Sequence, residues 1–412
     1  MNKKHIFIYL LMALPMMLLT SCLKDQEDTF DQSASARMTA YLNEVSEVLK
    51  SSENGWVLNY YPDREQSYGS LLFTLKFDGE NVEAACPDLT TSYVTVESKY
   101  KLVADDGPVL TFDTYNELLH YCATPNENSY EAYDGDFEFI VLSISEDKNT
   151  INLKGKRSGN LMTMQRLNFE GEEYLSITDA VREVAASYSV LQASLGEENV
   201  VKFAYGDTFF SVSYKDEEGN KVSESLPYHV TDKGIVFYAP FEAYGKTISG
   251  LIYNAEAPTL LDDTSIVLGP STDIIDQLVY GEWYVDFENS SPAVLEGAMA
   301  FNSGAAALGG LSYTFFGNYN GYGFGYYAVV GGRYIGGELF DYEDEGDDTI
   351  TLTSADSYVA NGSYFTNNCN MGAATAPYNA TFKLTKDNVE NPTYILMTDV
   401  NDPENFTKLV AE

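Results

Sequence analysis

Apolar positions recur at intervals of three and four through Met38, Tyr41, Leu42, Val45, Val48 and Leu49, one face of an α-helix. Ser33 or Ser35 can cap its start, and Asn54-Gly55 supplies a left-handed stop. The period then falls to that of strands: Trp56–Tyr61 ends at Pro62-Asp63, and Leu71–Phe77 ends at Asp78-Gly79, a hairpin signal. Further strands are expected over 92–103, 108–113, 137–144, 149–155 and 161–168, with a short helix over 114–121. A second apolar stripe, Ile177, Ala180, Val181, Val184, Ala185 and Tyr188, predicts a helix over 176–189. Strands follow over 200–204, 208–214, 221–229, 234–239 and 248–253. A third stripe, Ile274, Ile275, Leu278 and Val279, leads into Gly281-Glu282-Trp283. Both tryptophans of the chain thus follow a helical stripe and a Gly at a strand start, as packing where helix meets sheet requires.

The pattern predicts a β-rich α+β protein of antiparallel meander sheets or barrels, each preceded by an amphipathic helix. The expected divisions are 33–170, a helix with an antiparallel β domain; 171–272, a second helix with a β domain; and 273–412, a Gly/Tyr-rich β domain. Gly281-x-Trp283 also resembles the opening strand of lipocalin-like barrels, and enough chain follows it for one barrel.

Before the first helix the chain reads differently. Lys3 and Lys4 precede an apolar run from Ile6 to Leu19, shorter than the roughly 20 residues a membrane-spanning helix needs. It has the form of a secretory signal. It ends in Leu19-Thr20-Ser21-Cys22, which resembles the lipobox of bacterial lipoproteins. That resemblance implies a signal peptide over 1–21 and lipidation of Cys22, an anchor in the outer membrane. Residues 22–32 form an acidic tether, and Lys24-Asp25-Gln26-Glu27-Asp28 resembles the signals that send Bacteroidetes lipoproteins to the cell exterior.

Charge narrows the possible partners. Asp and Glu number 62 against 24 Lys and Arg, a formal charge of −38. Such a surface repels nucleic acid, which is excluded as a partner, and disfavours anionic ligands unless a cation bridges. With 44% hydrophobic and 14% aromatic residues the chain has ample material for packed cores.

Chemistry is sparse. Beyond the signal peptide only His120 and His229 remain, so a triad built on histidine or a three-histidine metal site cannot form within one chain. Cys86, Cys122 and Cys369 match no zinc spacing; they read as buried thiols, or Cys86 and Cys122 as a disulfide. Asp341, Glu343 and Glu345 with Gly346 match the start of an EF-hand loop, but Leu352 stands where its closing acid belongs, so an exposed hairpin turn is expected. No catalytic residue, metal or cofactor is assigned. Segment 312–334, rich in Tyr, Phe, Asn and Gly and almost uncharged, has the chemistry of a sugar-stacking platform, with Tyr319, Tyr322, Phe324 and Tyr326 as the ligand-binding candidates. The same pattern also suits strands whose rings cover neighbouring glycines.

Residues 30–63, "GPVLTFDTYNELLHY" (107–121) and 135–167 resemble a family of Bacteroidetes surface lipoproteins of unknown function. The resemblance implies an accessory of a starch-utilisation-type nutrient uptake system, beside an outer-membrane transporter and its lid lipoprotein. The expected function is therefore a lipid-anchored surface protein that binds a glycan, glycoprotein or peptide. A carboxylate-based hydrolase and a non-binding structural subunit are the alternatives.

Overall fold

The computed structural model describes residues 32–411 except 91, 106, 126–129, 189, 197–198, 217, 255–256 and 320–321. The expected signal peptide, Cys22 and nearly all of the expected tether lie outside the described residues. Among those described, no helix is long and apolar enough to cross a membrane.

The fold is three antiparallel meanders, and a helix precedes each. Helix α1 (Ala34–Lys50) starts at Ser33, whose hydroxyl accepts from the Ala36 N–H, and buries Val45, Val48 and Leu49. Strands β1 (Trp56–Tyr60), β2 (Leu71–Asp78), β3 (Asn81–Ala85), β4 (Val96–Lys99), β5 (Lys101–Ala104), β6 (Pro108–Thr111), β7 (Glu138–Ile144), β8 (Thr150–Gly155) and β9 (Leu161–Arg166) form a sheet in the order 4-3-2-1-9-8-7-6-5. Phe73, Leu75 and Phe77 of β2 pack toward α1, whereas Leu72 and Val57 join the core of the next module. Every residue of β1 is buried for that reason.

Two expectations for this sheet are corrected. The single strand over 92–103 is two strands, broken at Tyr100. Its ring packs edge-on against Phe77 at 4.8 Å, and its hydroxyl donates to the Gly79 carbonyl at 3.0 Å. Since β4 and β5 are the two edges of the sheet and Tyr100 alone joins them, the sheet is rolled until its edges meet at that corner. The helix over 114–121 is a turn. The Asn116 carboxamide accepts from the N–H groups of Leu118 and Leu119 and so offers the backbone an alternative to helix.

Helix α2 (Gly171–Ala186) begins five residues before the expected helix and buries Tyr174, Leu175, Thr178, Val181 and Ala185, while Val184 is exposed. Thr178 disguised the stripe: its hydroxyl donates to the Leu175 carbonyl, so it can be buried. The second sheet comprises β10 (Val190–Ser194), β11 (Val200–Ala204), β12 (Phe209–Lys215), β13 (Lys221–Val230), β14 (Gly234–Ala243), β15 (Lys246–Ile252), β16 (Thr259–Leu260) and β17 (Leu268–Pro270), in the order 16-15-14-13-12-11-10-17.

Helix α3 (Ile274–Tyr280) opens the third module, a closed barrel of β18 (Glu282–Val285), β19 (Leu311–Asn318), β20 (Phe324–Val330), β21 (Tyr334–Gly346), β22 (Thr349–Ala360), β23 (Thr381–Lys386), β24 (Tyr394–Asp399) and β25 (Phe406–Val410). Pairs Tyr284–Val410 and Val285–Leu409 close it. Strands alternate in direction, so α3, which precedes β18, sits at one end. Helix α4 (Pro292–Gly304), after β18, and helices α5 (Gly362–Cys369) and α6 (Met371–Thr375), after β22, sit at the other. Phe316, Phe324, Tyr326, Phe340, Tyr378 and Met397 fill the interior, so the barrel is packed core between two helical plugs. The acidic run 341–348 is the β21–β22 hairpin end, turned by Asp347 and Asp348 at φ 49° and 51°.

Candidate functional site

The barrel wall formed by β18, β19 and β20 is aromatic on its outer face as well as its inner one. Alternation divides the rings. Phe316 in β19 and Phe324 and Tyr326 in β20 point into the core; Tyr313 and Phe315 in β19 and Tyr327 in β20 point out. Tyr284, Phe315 and Tyr327 are direct partners across three strands. Phe315 and Tyr327 stack at 5.2 Å and 14°, and the Tyr327 ring lies against Gly337 on β21. That ring-over-glycine contact is the covering role open to this segment.

Around this buried pair the wall is accessible. Tyr284 and Tyr313 lie 5.5 Å apart, Phe315 and Tyr319 5.9 Å, and Tyr319 and Tyr322 stack at 6.5 Å and 27°. Tyr313 is 44% exposed and Tyr322 56%, with Tyr284 and Tyr319 half-buried. Two of the four candidates from the sequence, Tyr319 and Tyr322, therefore stand together on the surface. The other two are corrected: Phe324 and Tyr326 are barrel core, buried against Phe316 and Tyr378, and cannot meet a ligand. The period of two that made them look like one platform puts alternate residues on opposite faces. Tyr284 and Tyr313 were missed, although Tyr313 lay within the segment and the same alternation would have selected it.

The wall runs into a cleft of about 270 Å³ between the barrel and the second sheet. Phe315, Tyr319 and Tyr280 line it with Tyr205 from the end of β11, and Asp207 and Glu282 supply carboxylates. The Tyr284 hydroxyl donates to Glu282 Oε1 at 2.6 Å, which ties the wall to the cleft. Gly281 and Gly317 form the base, where a Cβ at 317 would strike the Gly281 carbonyl oxygen. The Asn318 carboxamide accepts from the Gly323 N–H at 2.9 Å and fixes the loop that carries Tyr319 and Tyr322. Burial raises the Tyr280 and Tyr327 hydroxyls well above the ordinary tyrosine range, so they stay protonated donors.

The same joint holds an ionic clamp. Lys202 on β11 pairs with Asp273 at 3.1 Å and with Asp276 on α3, and the Ser271 hydroxyl donates to Asp276 at 2.7 Å. Burial works against the charge on Lys202, but the two carboxylates outweigh it and raise its pKa.

The family model described as Domain of unknown function (DUF4302) matches residues 26–255. The chain is a member of the DUF4302 family. The DUF4302 match covers the first module and the second as far as β15, and stops before the barrel, so the aromatic wall lies outside it. No curated protein matches the chain. Among solved structures, the DNA polymerase β subunit of Streptococcus pyogenes aligns over 91% of this chain and 97% of its own at 11% identity and a TM-score of 0.13. The DNA polymerase III β chain of Streptococcus pneumoniae aligns over 91% and 97% at 11% identity and a TM-score of 0.14. The sliding clamp of Bacillus subtilis aligns over 90% and 96% at 9% identity and 0.12. Scores this low do not amount to a shared fold, and nothing of those proteins is carried to the DUF4302 chain.

His120 and His229 take structural places. His120 Nδ1 bonds within the Asn116 turn, and His229 Nδ1 lies 3.0 Å from the Tyr61 hydroxyl between the first two sheets. All three described cysteines are free and buried. No group of three or more potential metal ligands occurs among the described residues.

Proposed function

We propose that this is a lipid-anchored protein of the cell exterior that binds a glycan along the aromatic wall of its barrel and assists an outer-membrane nutrient uptake system. The single observation carrying the reading is the continuous set of rings, Tyr313, Tyr284, Phe315, Tyr319 and Tyr322, that leads into a cleft bearing hydroxyls and carboxylates. Flat rings stack on the C–H faces of sugars, while Asp207, Glu282 and the tyrosine hydroxyls can bond sugar hydroxyls. The lipobox at Cys22 and the acid after it support the location. The partners of this reading are a transporter and its lid lipoprotein.

Titration of the soluble chain, lacking residues 1–22, with neutral oligosaccharides tests the reading. Saturable binding that falls at least about tenfold in Y319A/Y322A, by the loss of stacking worth roughly 1.5 kcal/mol, is expected. No binding to any glycan, together with co-purification with a transporter, would make the protein a structural subunit instead. Asp207 and Glu282 share the cleft, which favours a carboxylate hydrolase as the second reading; product in the same titration, abolished by E282Q, would establish it.

A further inference from the structure

A second cleft at the joint, of about 330 Å³, has a different chemistry. Ile275 and Val279 of α3 give it an apolar lining, Tyr342 of β21 and Tyr244 from the β14–β15 turn add rings, and Lys215 and Lys221 complete the wall.

The two lysines are unusual in their setting. They are direct partners across the β12–β13 hairpin, and like charges directly opposite one another destabilise a strand pair. Acids outnumber bases 62 to 24 in this chain, so carboxylates to pair with were abundant. Yet no described carboxylate forms an ion pair with either ammonium; Lys221 Nζ instead lies 5.3 Å from the centre of the Tyr342 ring. The other charged groups lining the cleft are engaged. Lys202 is held by Asp273 and Asp276, and Asp344 accepts from the Gly346 N–H at 2.9 Å. Asp216, at the start of the hairpin loop, is occupied by Asn220.

We infer that this cleft binds an organic anion with a flat apolar body, its negative group set between Lys215 and Lys221 and its body against Tyr342 over Ile275 and Val279. Both ammoniums then gain the counter-charge that the fold withholds, and the apolar lining gains a cover. The site runs against the long-range field, because a chain of net charge −38 repels anions. Recognition is therefore local, by contact with the two lysines.

Three probes of similar shape and different charge test this: phenylacetate, phenylethanol and phenylethylammonium, followed by saturation-transfer NMR on the soluble chain. The expected order is anion, then neutral, then cation, the reverse of what net charge alone dictates. K215Q/K221Q should weaken phenylacetate at least tenfold and erase the preference, while the thermal midpoint holds or rises because a like-charge pair is gone. Y342L should weaken all three probes together. Equal binding of the anionic and neutral probes, a preference for the cation, undetectable phenylacetate binding, or phenylacetate binding unchanged in K215Q/K221Q would each overturn the inference.

Discussion

The indole Nε1 of Trp283 donates to the carbonyl oxygen of Gln277 at 2.7 Å. Trp56 does the same to Leu49 at 2.9 Å. In each case a helix ends, the chain turns at a Gly, and the Trp of the next strand returns an indole N–H to a carbonyl of the last helical turns, at Gln277 beside the Gly281 N–H that the same oxygen accepts at 3.1 Å. Trp283→Phe should destabilise the barrel by about 2 kcal/mol, combining a lost hydrogen bond to a buried carbonyl with lost volume, measured by urea unfolding. An unchanged unfolding midpoint would show that the bond contributes nothing.

The joint between the first two sheets should respond to acid through His229. Burial lowers its pKa from 6.5 to about 4. The folded state thus favours the neutral ring, and the stability it confers is fully present above pH 6.5 and lost as pH falls toward 4. The full effect is on the order of 3 kcal/mol. His229→Gln should flatten the fall in stability between pH 6.5 and 5, a window in which ordinary carboxylates stay ionised. An identical slope in the variant would assign the fall to other groups.

Lys202→Met should loosen the second sheet from the barrel. It strands Asp276, whose pKa burial already raises, and Asp273 beside it. Breaking such a pair from one side costs about 3 kcal/mol. Small-angle scattering of K202M should show a more extended chain than K202M/D273N/D276N; equal profiles for the two would remove the clamp from the account.

Tyr319→Ala and Tyr326→Ala separate surface from core. Tyr326 is 1% exposed, and its loss should cost about 3–5 kcal/mol. Loss of the half-buried Tyr319 should cost less than half as much. Similar thermal midpoints for the two would mean that the faces of β20 and its neighbours are assigned wrongly.

Periodicity revealed much of the architecture. The stripes that predict α1 and α3 set apolar residues at helical spacing, over 17 residues in α1 and only 7 in α3, and most strands carry clear turn signals. What stayed hidden has physical causes. Helix α4 has Gly297 and Gly304 within it, normally helix-weakening, because there its backbone approaches Ala373 and Cys369 too closely for a side chain. Helices α5 and α6 are short plugs whose burial comes from the barrel end. The wall of rings could be half seen, since Tyr319 and Tyr322 stand out by composition. Its continuation through Tyr284 depends on β18 pairing with β19, a long-range contact that no local pattern encodes.

A ribbon of strands normally ends in two bare hems, each able to recruit another ribbon. In the first module those hems are stitched by one residue, Tyr100. A protease nick or a circular permutation at that stitch would leave every other strand pairing in place and still convert a self-contained roll into a sticky one. The seam is what keeps such a roll from felting onto its neighbours.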